Sequence, residues 1–86
     1  MKNLFDIKGK VIVITGGCGI LGKNIANYLA EQGAKIVVLD RAAEIGKELE
    51  AELNQKSEAL FLVTDVLNKE VLEENKKAIL ERFGTI

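Results

Sequence analysis

The glycine-rich segment after the first apolar run constrains the fold of this chain most strongly. Residues 11–15 form a short β-branched run, and four of the next seven residues are glycines: Gly16, Gly17, Gly19 and Gly22. An apolar run that ends at turn residues is typical of a buried strand, and helical periodicity follows it. Residues 17–22 read G-x-G-x-x-G, which at a strand-to-helix junction predicts a loop that binds the pyrophosphate of a dinucleotide.

Each feature of this loop has a physical role. Glycine adopts positive φ angles without strain, and a missing side chain lets backbone amides reach a phosphate. The first turn of the following helix adds unpaired amides and a positive dipole end. A plain connecting loop is the alternative, and Cys18 is favoured as a small loop filler over a stabilised thiolate. We expect contacts to the dinucleotide from Gly16, Cys18, Gly19, Ile20, Leu21 and Gly22.

A strand followed by a helix is predicted three times along the chain. The strands cover residues 11–15, 35–40 and 59–64, and the helices cover about 19–32, 42–54 and 68–83. Asn68 is the expected N-cap of the third helix, while Gly33 and Gly84 end the first and third. This alternation predicts an α/β fold, an open parallel three-layer sheet of Rossmann type that is partial, with three βα units in strand order 3-2-1.

The helices carry apolar stripes that we expect to pack on the sheet. They comprise Leu21, Ile25, Ala26, Leu29 and Ala30 in the first helix, Ile45, Leu49 and Leu53 in the second, and Val71, Leu72, Ala78, Ile79 and Phe83 in the third. Right-handed crossovers in the order 3-2-1 place the first two helices on one face and only the third on the other. Both faces of the strands are apolar, so we expect the face that carries only the third helix to be covered by further protein surface. We therefore predict that residues 1–86 are the N-terminal dinucleotide-binding part of a longer domain, with self-association into a homo-oligomer as the alternative cover.

Asp40 ends the second predicted strand, 18 residues after Gly22. A dinucleotide-binding unit places at this point the acid that accepts hydrogen bonds from the adenosine ribose, although an ordinary helix cap is the alternative. A 2′-phosphate about 4 Å from a carboxylate would be repelled by up to about 4 kcal/mol at an effective dielectric of about 20. The carboxylate thus favours NAD over NADP. Arg41 leaves the preference open, because it could pair with a 2′-phosphate, stack on adenine or remain solvated.

A second reading of the loop belongs to another class of protein. Residues 17–23 also match G-x-x-x-x-G-K, the body of a nucleotide triphosphatase phosphate loop, but Asn24 follows where that loop has serine or threonine. An amide is a poor substitute for the hydroxyl that binds Mg²⁺. ATP binding is therefore the weaker alternative.

Several segments together resemble the short-chain dehydrogenase/reductase family over nearly all 86 residues. They are residues 8–17, Gly33-Ala34-Lys35 leading to Asp40-Arg41, Asp65-Val66 after the third strand, and Phe83-Gly84-Thr85-Ile86. The resemblance implies a nicotinamide-dependent oxidoreductase that acts on an alcohol or ketone. It also implies that Asp65 binds the adenine amino group with Val66 beside the ring, whereas without it this pair reads equally well as a strand end and helix start.

The loop departs from the commonest pattern of that family. Ile20 stands where T-G-x-x-x-G-x-G has glycine, so the spacing is T-G-x-x-G-x-x-G. The loop and Leu39-Asp40-Arg41 are similar to sugar-acid oxidoreductases of the D-mannonate (fructuronate) type. The family's Asn-Asn-Ala-Gly segment, catalytic serine and Tyr-x-x-x-Lys do not occur here, and Tyr28 is attributed to packing. The 86 residues are thus expected to bind a dinucleotide without turnover, and a non-catalytic binding module is the alternative.

Composition excludes several other functions. A net charge of −1 and a pI near 5.5 give no electrostatic basis for binding nucleic acid or an acidic membrane. The apolar runs are shorter than the roughly 20 residues of a membrane span, and residues near the start do not resemble a secretory signal. One cysteine and no histidine argue against a zinc site, so no metal is expected. A cytoplasmic location is the expectation.

Overall fold

The computed structural model describes residues 7–16, 19–65 and 67–84. Three strands alternate with three helices: β1 (Val11–Thr15), α1 (Ile20–Glu31), β2 (Lys35–Asp40), α2 (Ala43–Asn54), β3 (Ala59–Val63) and α3 (Lys69–Phe83). The strands are parallel and lie in the order β1-β2-β3. The predicted α/β class, strand order and element boundaries are therefore confirmed, with small shifts at the ends.

The strand register brings the carboxyl ends of all three strands to one rim of the sheet. Thr15 pairs with Leu39, and Asp40 pairs with Val63. The residues that leave the strands therefore emerge side by side. This rim is where open parallel sheets bind ligands.

Both faces of the sheet pack against helices, but against different ones, and β2 is the most fully buried strand. Ile36 and Val38 face α1 and α2, where they pack in a cluster with Leu49 and Leu53. Val37 and Leu39 face the other way and pack with Ile79 of α3. The predicted division, with two helices on one face and the third on the other, is confirmed.

Side chains of α2 cover the outer edge of β3. The amide group of Asn54 accepts from the N–H of Ala59 at 2.9 Å and donates to its carbonyl at 3.1 Å. Further along, a carboxylate oxygen of Glu50 accepts from the N–H of Phe61. Unpaired backbone groups on an edge strand invite pairing with other chains. The helix therefore satisfies this edge from within the chain.

Close contact between α2 and β3 depends on a glycine. Gly46 is buried, and a Cβ built on it would overlap the ring of Phe61. The aromatic ring thus occupies the space that any larger residue at position 46 would need. This contact fixes the height of α2 above the strand.

Four apolar side chains that were expected to pack are exposed instead. Leu21, Ile25 and Tyr28 of α1 are exposed, with 74% of Leu21 and 62% of Tyr28 accessible, and so is Ile45 of α2. The predicted inward stripe of α1 is therefore wrong in part, as is the packing role of Tyr28. The helix turns its small residues, the buried Ala26 and Ala30, to the sheet, because small side chains permit a close approach.

Among the residues described, none of the three helices is both long and apolar enough to cross a membrane.

Candidate dinucleotide-binding site

The loop after β1 begins with a turn that requires glycine. Gly16 has a φ of +68°, in the left-handed region that other residues adopt only with strain. Its N–H donates to the carbonyl of Leu39 at 2.8 Å, and its own carbonyl accepts from the N–H of Gly19 at 3.4 Å. The bond between Gly16 and Gly19 therefore holds the end of β1 close to the start of α1.

The amides of the first turn of α1 donate no hydrogen bond to a side chain among the residues that the structure describes. Gly19 is the N-cap, with extended backbone angles, and in the described part of the chain no side chain accepts a hydrogen bond from that turn. In α3, by contrast, the side chain of Asn68 accepts from the N–H groups of Glu70 and Val71. An uncapped helix start with its positive dipole end is a site for an anion.

Asp40 stands at the end of β2, beside the loop. Its side chain is half-buried, and Oδ1 accepts from the N–H of Ala42 at 3.0 Å. The carboxylate thus forms a turn ahead of α2, whose N-cap is Ala42 with no side-chain cap hydrogen bond among the described residues, so Asp40 is not itself the helix cap. It lies on the same rim as Gly16. Arg41 follows it and is exposed.

Asp65 lies on the rim beyond β3. Its side chain is exposed, its Oδ1 accepts from the N–H of Leu67 at 3.0 Å, and its carbonyl accepts from the N–H of Asn68 at 2.9 Å. The preceding residue, Thr64, donates its N–H to the carbonyl of Asp40 at 2.8 Å. The rim positions of the two carboxylates are therefore linked through the backbone.

The predicted site residues that the structure describes lie either on one rim of the sheet or in the first turn of α1, which begins near that rim. These residues form the rim at the carboxyl ends of the strands and the first turn of α1: Gly16, Gly19, Ile20, Leu21, Gly22, Asp40, Arg41 and Asp65. Gly17, Cys18 and Val66 lie outside the described residues. Their predicted roles stay predictions.

One polar pair behind the rim was not predicted. Asn75 of α3 is buried and donates from Nδ2 to Oγ1 of Thr64, which is 1% exposed, at 2.6 Å. A signal was present, because Asn75 lies four residues from both Val71 and Ile79, on the stripe that was expected to face the sheet. A polar residue on an inward stripe indicates a buried partner.

Over residues 7–16, 19–65 and 67–84, no cluster of three or more histidine, cysteine or acidic side chains could hold a metal ion.

The chain matches a known protein family. A family model described as short chain dehydrogenase matches residues 10–86. Among curated proteins, the uncharacterized oxidoreductase UxuB of Bacillus subtilis is 38% identical over 82 residues, which are 94% of this chain. The match covers 30% of that relative, so the chain spans about a third of the length of the curated proteins it resembles.

Solved structures share both the fold and part of the sequence. An NAD⁺-bound xylitol dehydrogenase superposes with a TM-score of 0.89 at 34% identity, over 95% of this chain and 32% of its own. A candidate D-mannonate oxidoreductase from Haemophilus influenza with bound NAD gives 0.87 at 34% identity, over 93% and 29%. L-Sorbose reductase from Gluconobacter frateurii, complexed with NADPH and L-sorbose, gives 0.84 at 31% identity, over 93% and 32%.

Proposed function

Because this chain belongs to the short-chain dehydrogenase family, we propose that it forms the nicotinamide-dinucleotide-binding part of an oxidoreductase. The whole protein would transfer a hydride between the nicotinamide and an alcohol or ketone carbon. One observation carries the proposal. The uncapped first turn of α1 and the carboxylate of Asp40 lie on adjacent strand ends, joined by the bond from Gly16 to Leu39.

The first turn of α1 is assigned to the pyrophosphate. Its free amides would donate to the phosphate oxygens, and the helix dipole would favour their negative charge. Gly19 has no side chain, so two linked phosphates can approach the backbone there. The loop residues Gly16, Cys18, Ile20, Leu21 and Gly22 complete the predicted contact set.

Asp40 is assigned to the adenosine ribose. A carboxylate oxygen would accept hydrogen bonds from the ribose hydroxyls, while Oδ1 keeps its bond to the N–H of Ala42. Charge repulsion of a 2′-phosphate supports NAD as the preferred cofactor. Arg41 lies beside this position and would contact the adenine face or remain in solvent.

Asp65 and Val66 are assigned to the adenine. The Oδ1 of Asp65 bonds to the N–H of Leu67, and its other carboxylate oxygen accepts no hydrogen bond from the residues that the structure describes. That oxygen can accept from the exocyclic amino group of adenine. In this assignment Asp40 binds the ribose of the adenosine and Asp65 binds its adenine, from the ends of two neighbouring strands.

The bound dinucleotide would supply the hydride-transfer chemistry. The 86 residues bind and orient it, and we assign them no proton transfer. Similarity to the candidate D-mannonate oxidoreductase, the xylitol dehydrogenase and the L-sorbose reductase supports a polyhydroxylated substrate for the whole protein, such as the sugar acid D-mannonate. The family match gives no support to the ATP-binding alternative.

Calorimetric titration of the protein with NAD, NADP, ADP-ribose and ATP with Mg²⁺ tests the proposal. NAD and ADP-ribose should bind, since both carry the pyrophosphate and the adenosine, and NADP should bind more weakly. Oxidation of D-mannonate or of a polyol with NAD by the whole protein would show that the protein is an enzyme and not a non-catalytic binding module. Binding of ATP that depends on Mg²⁺, with no binding of NAD or ADP-ribose, would contradict the proposal.

A further inference from the structure

Thr64 connects the two acidic residues of the rim to the third helix. Its N–H donates to the carbonyl of Asp40 at 2.8 Å, and it directly precedes Asp65 in the chain. Its hydroxyl donates to the carbonyl of Leu62 at 2.9 Å and accepts from Asn75 at 2.6 Å. The single hydroxyl of this side chain thus donates one hydrogen bond and accepts another, and the two bonds set its rotamer.

The pair is not needed to fill the space between β3 and α3. Thr64 is 1% exposed and Asn75 is 8% exposed, so both polar groups have given up water for one another. Replacing two buried hydrogen-bonded partners by apolar groups of the same shape is often nearly neutral for stability. A valine and an alanine could stand there without the polar atoms, whereas a leucine at position 75 would force methyl groups into the 2.6 Å that now separates the bonded atoms. What the polar pair adds is direction, because a hydrogen bond constrains orientation while an apolar contact does not.

We propose that Thr64 and Asn75 are positioning residues for the adenosine end of the site. Asn75 anchors the hydroxyl of Thr64 to α3, and Thr64 in turn sets where the chain leaves β3 relative to Asp40. The turn of Asp65, with its bond to the N–H of Leu67, therefore presents its carboxylate at a fixed place on the rim. This inference rests on the proposed role of Asp65 toward adenine.

The double variant Thr64→Val/Asn75→Ala in the full protein is the matched change, since Thr64→Val alone leaves the buried amide of Asn75 without this partner. Binding of NAD is compared with binding of nicotinamide hypoxanthine dinucleotide, in which an oxygen replaces the adenine amino group. Asp65→Asn, which leaves the buried pair intact, serves as the control for loss of the carboxylate itself.

We expect the double variant to bind NAD about 5- to 10-fold more weakly and to change its affinity for the hypoxanthine analogue by less than about 2-fold, a difference of the size of one lost hydrogen bond. Hydrogen exchange of the Leu67 N–H in the dinucleotide-free protein should also become faster, while the Gly16 N–H should keep its protection. If the pair had a purely structural role, the double variant would bind both dinucleotides more weakly by the same factor.

Equal loss for the two dinucleotides, or no change in either affinity or exchange, overturns the positioning role while leaving NAD binding by the parent protein intact. A parent protein that binds neither dinucleotide overturns the proposed function, and with it this inference. A parent that binds both equally well overturns the role of Asp65, and the positioning role falls with it even though the pyrophosphate assignment stands.

Discussion

The N–H of Gly16 donates a 2.8 Å hydrogen bond to the carbonyl of Leu39, the residue before Asp40. This bond continues the ladder between β1 and β2 by one step beyond the last residue of β1. It therefore fixes the start of the glycine loop next to the carboxylate that ends the second strand. The proposed pyrophosphate and ribose contacts depend on that spacing.

Asp40→Asn removes the charge of this side chain but keeps an oxygen that can form its hydrogen bond to the backbone. An asparagine retains an oxygen that can accept from the N–H of Ala42, so the turn into α2 should persist. Loss of the charged acceptor should weaken NAD binding about 10-fold, the size of one charge-assisted hydrogen bond, and should improve NADP binding. Calorimetry with both cofactors checks this. Equal losses for NAD and NADP would refute the ribose role.

Gly19→Ser places a hydroxyl at the N-cap of α1. Serine is at least as good an N-cap as glycine, so the midpoint of thermal unfolding should stay the same or rise. NAD affinity should fall at least about 10-fold, because the hydroxyl takes a free amide and occupies the space of a phosphate. Ala51→Ser, on the exposed surface of α2, is the control: it should leave NAD affinity unchanged and lower the midpoint slightly, because serine has a lower helix propensity than alanine. Unchanged NAD affinity in Gly19→Ser would rule out the helix start as the pyrophosphate site.

Gly46→Ala tests the contact between α2 and β3. The added methyl group overlaps the ring of Phe61, and overpacking of this kind destabilises a protein by about 1–3 kcal/mol. The gain in helix propensity offsets at most about 1 kcal/mol. Urea unfolding should therefore show a net loss, and adding Phe61→Leu should recover part of it. Additive effects of the two substitutions would mean that the residues do not interact.

Asn54→Ala uncovers the edge of β3. Two hydrogen bonds to the backbone of Ala59 are lost, which should lower the free energy of unfolding by about 1–2 kcal/mol and raise light scattering on heating. Asn54→Asp keeps the acceptor for the Ala59 N–H but loses the donor. Its free energy of unfolding should therefore lie between those of the unsubstituted protein and Asn54→Ala. If Asn54→Ala were as stable as the unsubstituted protein, water would replace these hydrogen bonds without loss of stability.

Sequence patterns predicted the strands, their order and the division of the helices between the two faces. They could do so because β-branched runs between glycines and the handedness of crossovers are local or generic properties. The placement of Leu21 and Ile25 was wrong because α1 carries two neighbouring apolar stripes. Periodicity alone does not decide which stripe a sheet will cover.

The unpredicted contacts depend on how elements lie against each other. Gly46 meets Phe61, and Asn75 meets Thr64, only once the heights of α2 and α3 over β3 are set. Those heights follow from tertiary packing rather than from any one segment. The rim itself was predictable, since parallel strands must end on the same side.

Backbone amide spectra of the isotope-labelled protein, recorded while NAD is added, test most directly whether the start of α1 and the end of β2 form one binding site. The largest shifts should appear at the amides of Gly19, Ile20, Leu21 and Gly22 and at Arg41. Gly9 and Gly33, whose backbones bond to each other at the amino ends of the strands, should not move. Shifts concentrated at Gly9 and Gly33, with none at the first turn of α1, would contradict the assignment.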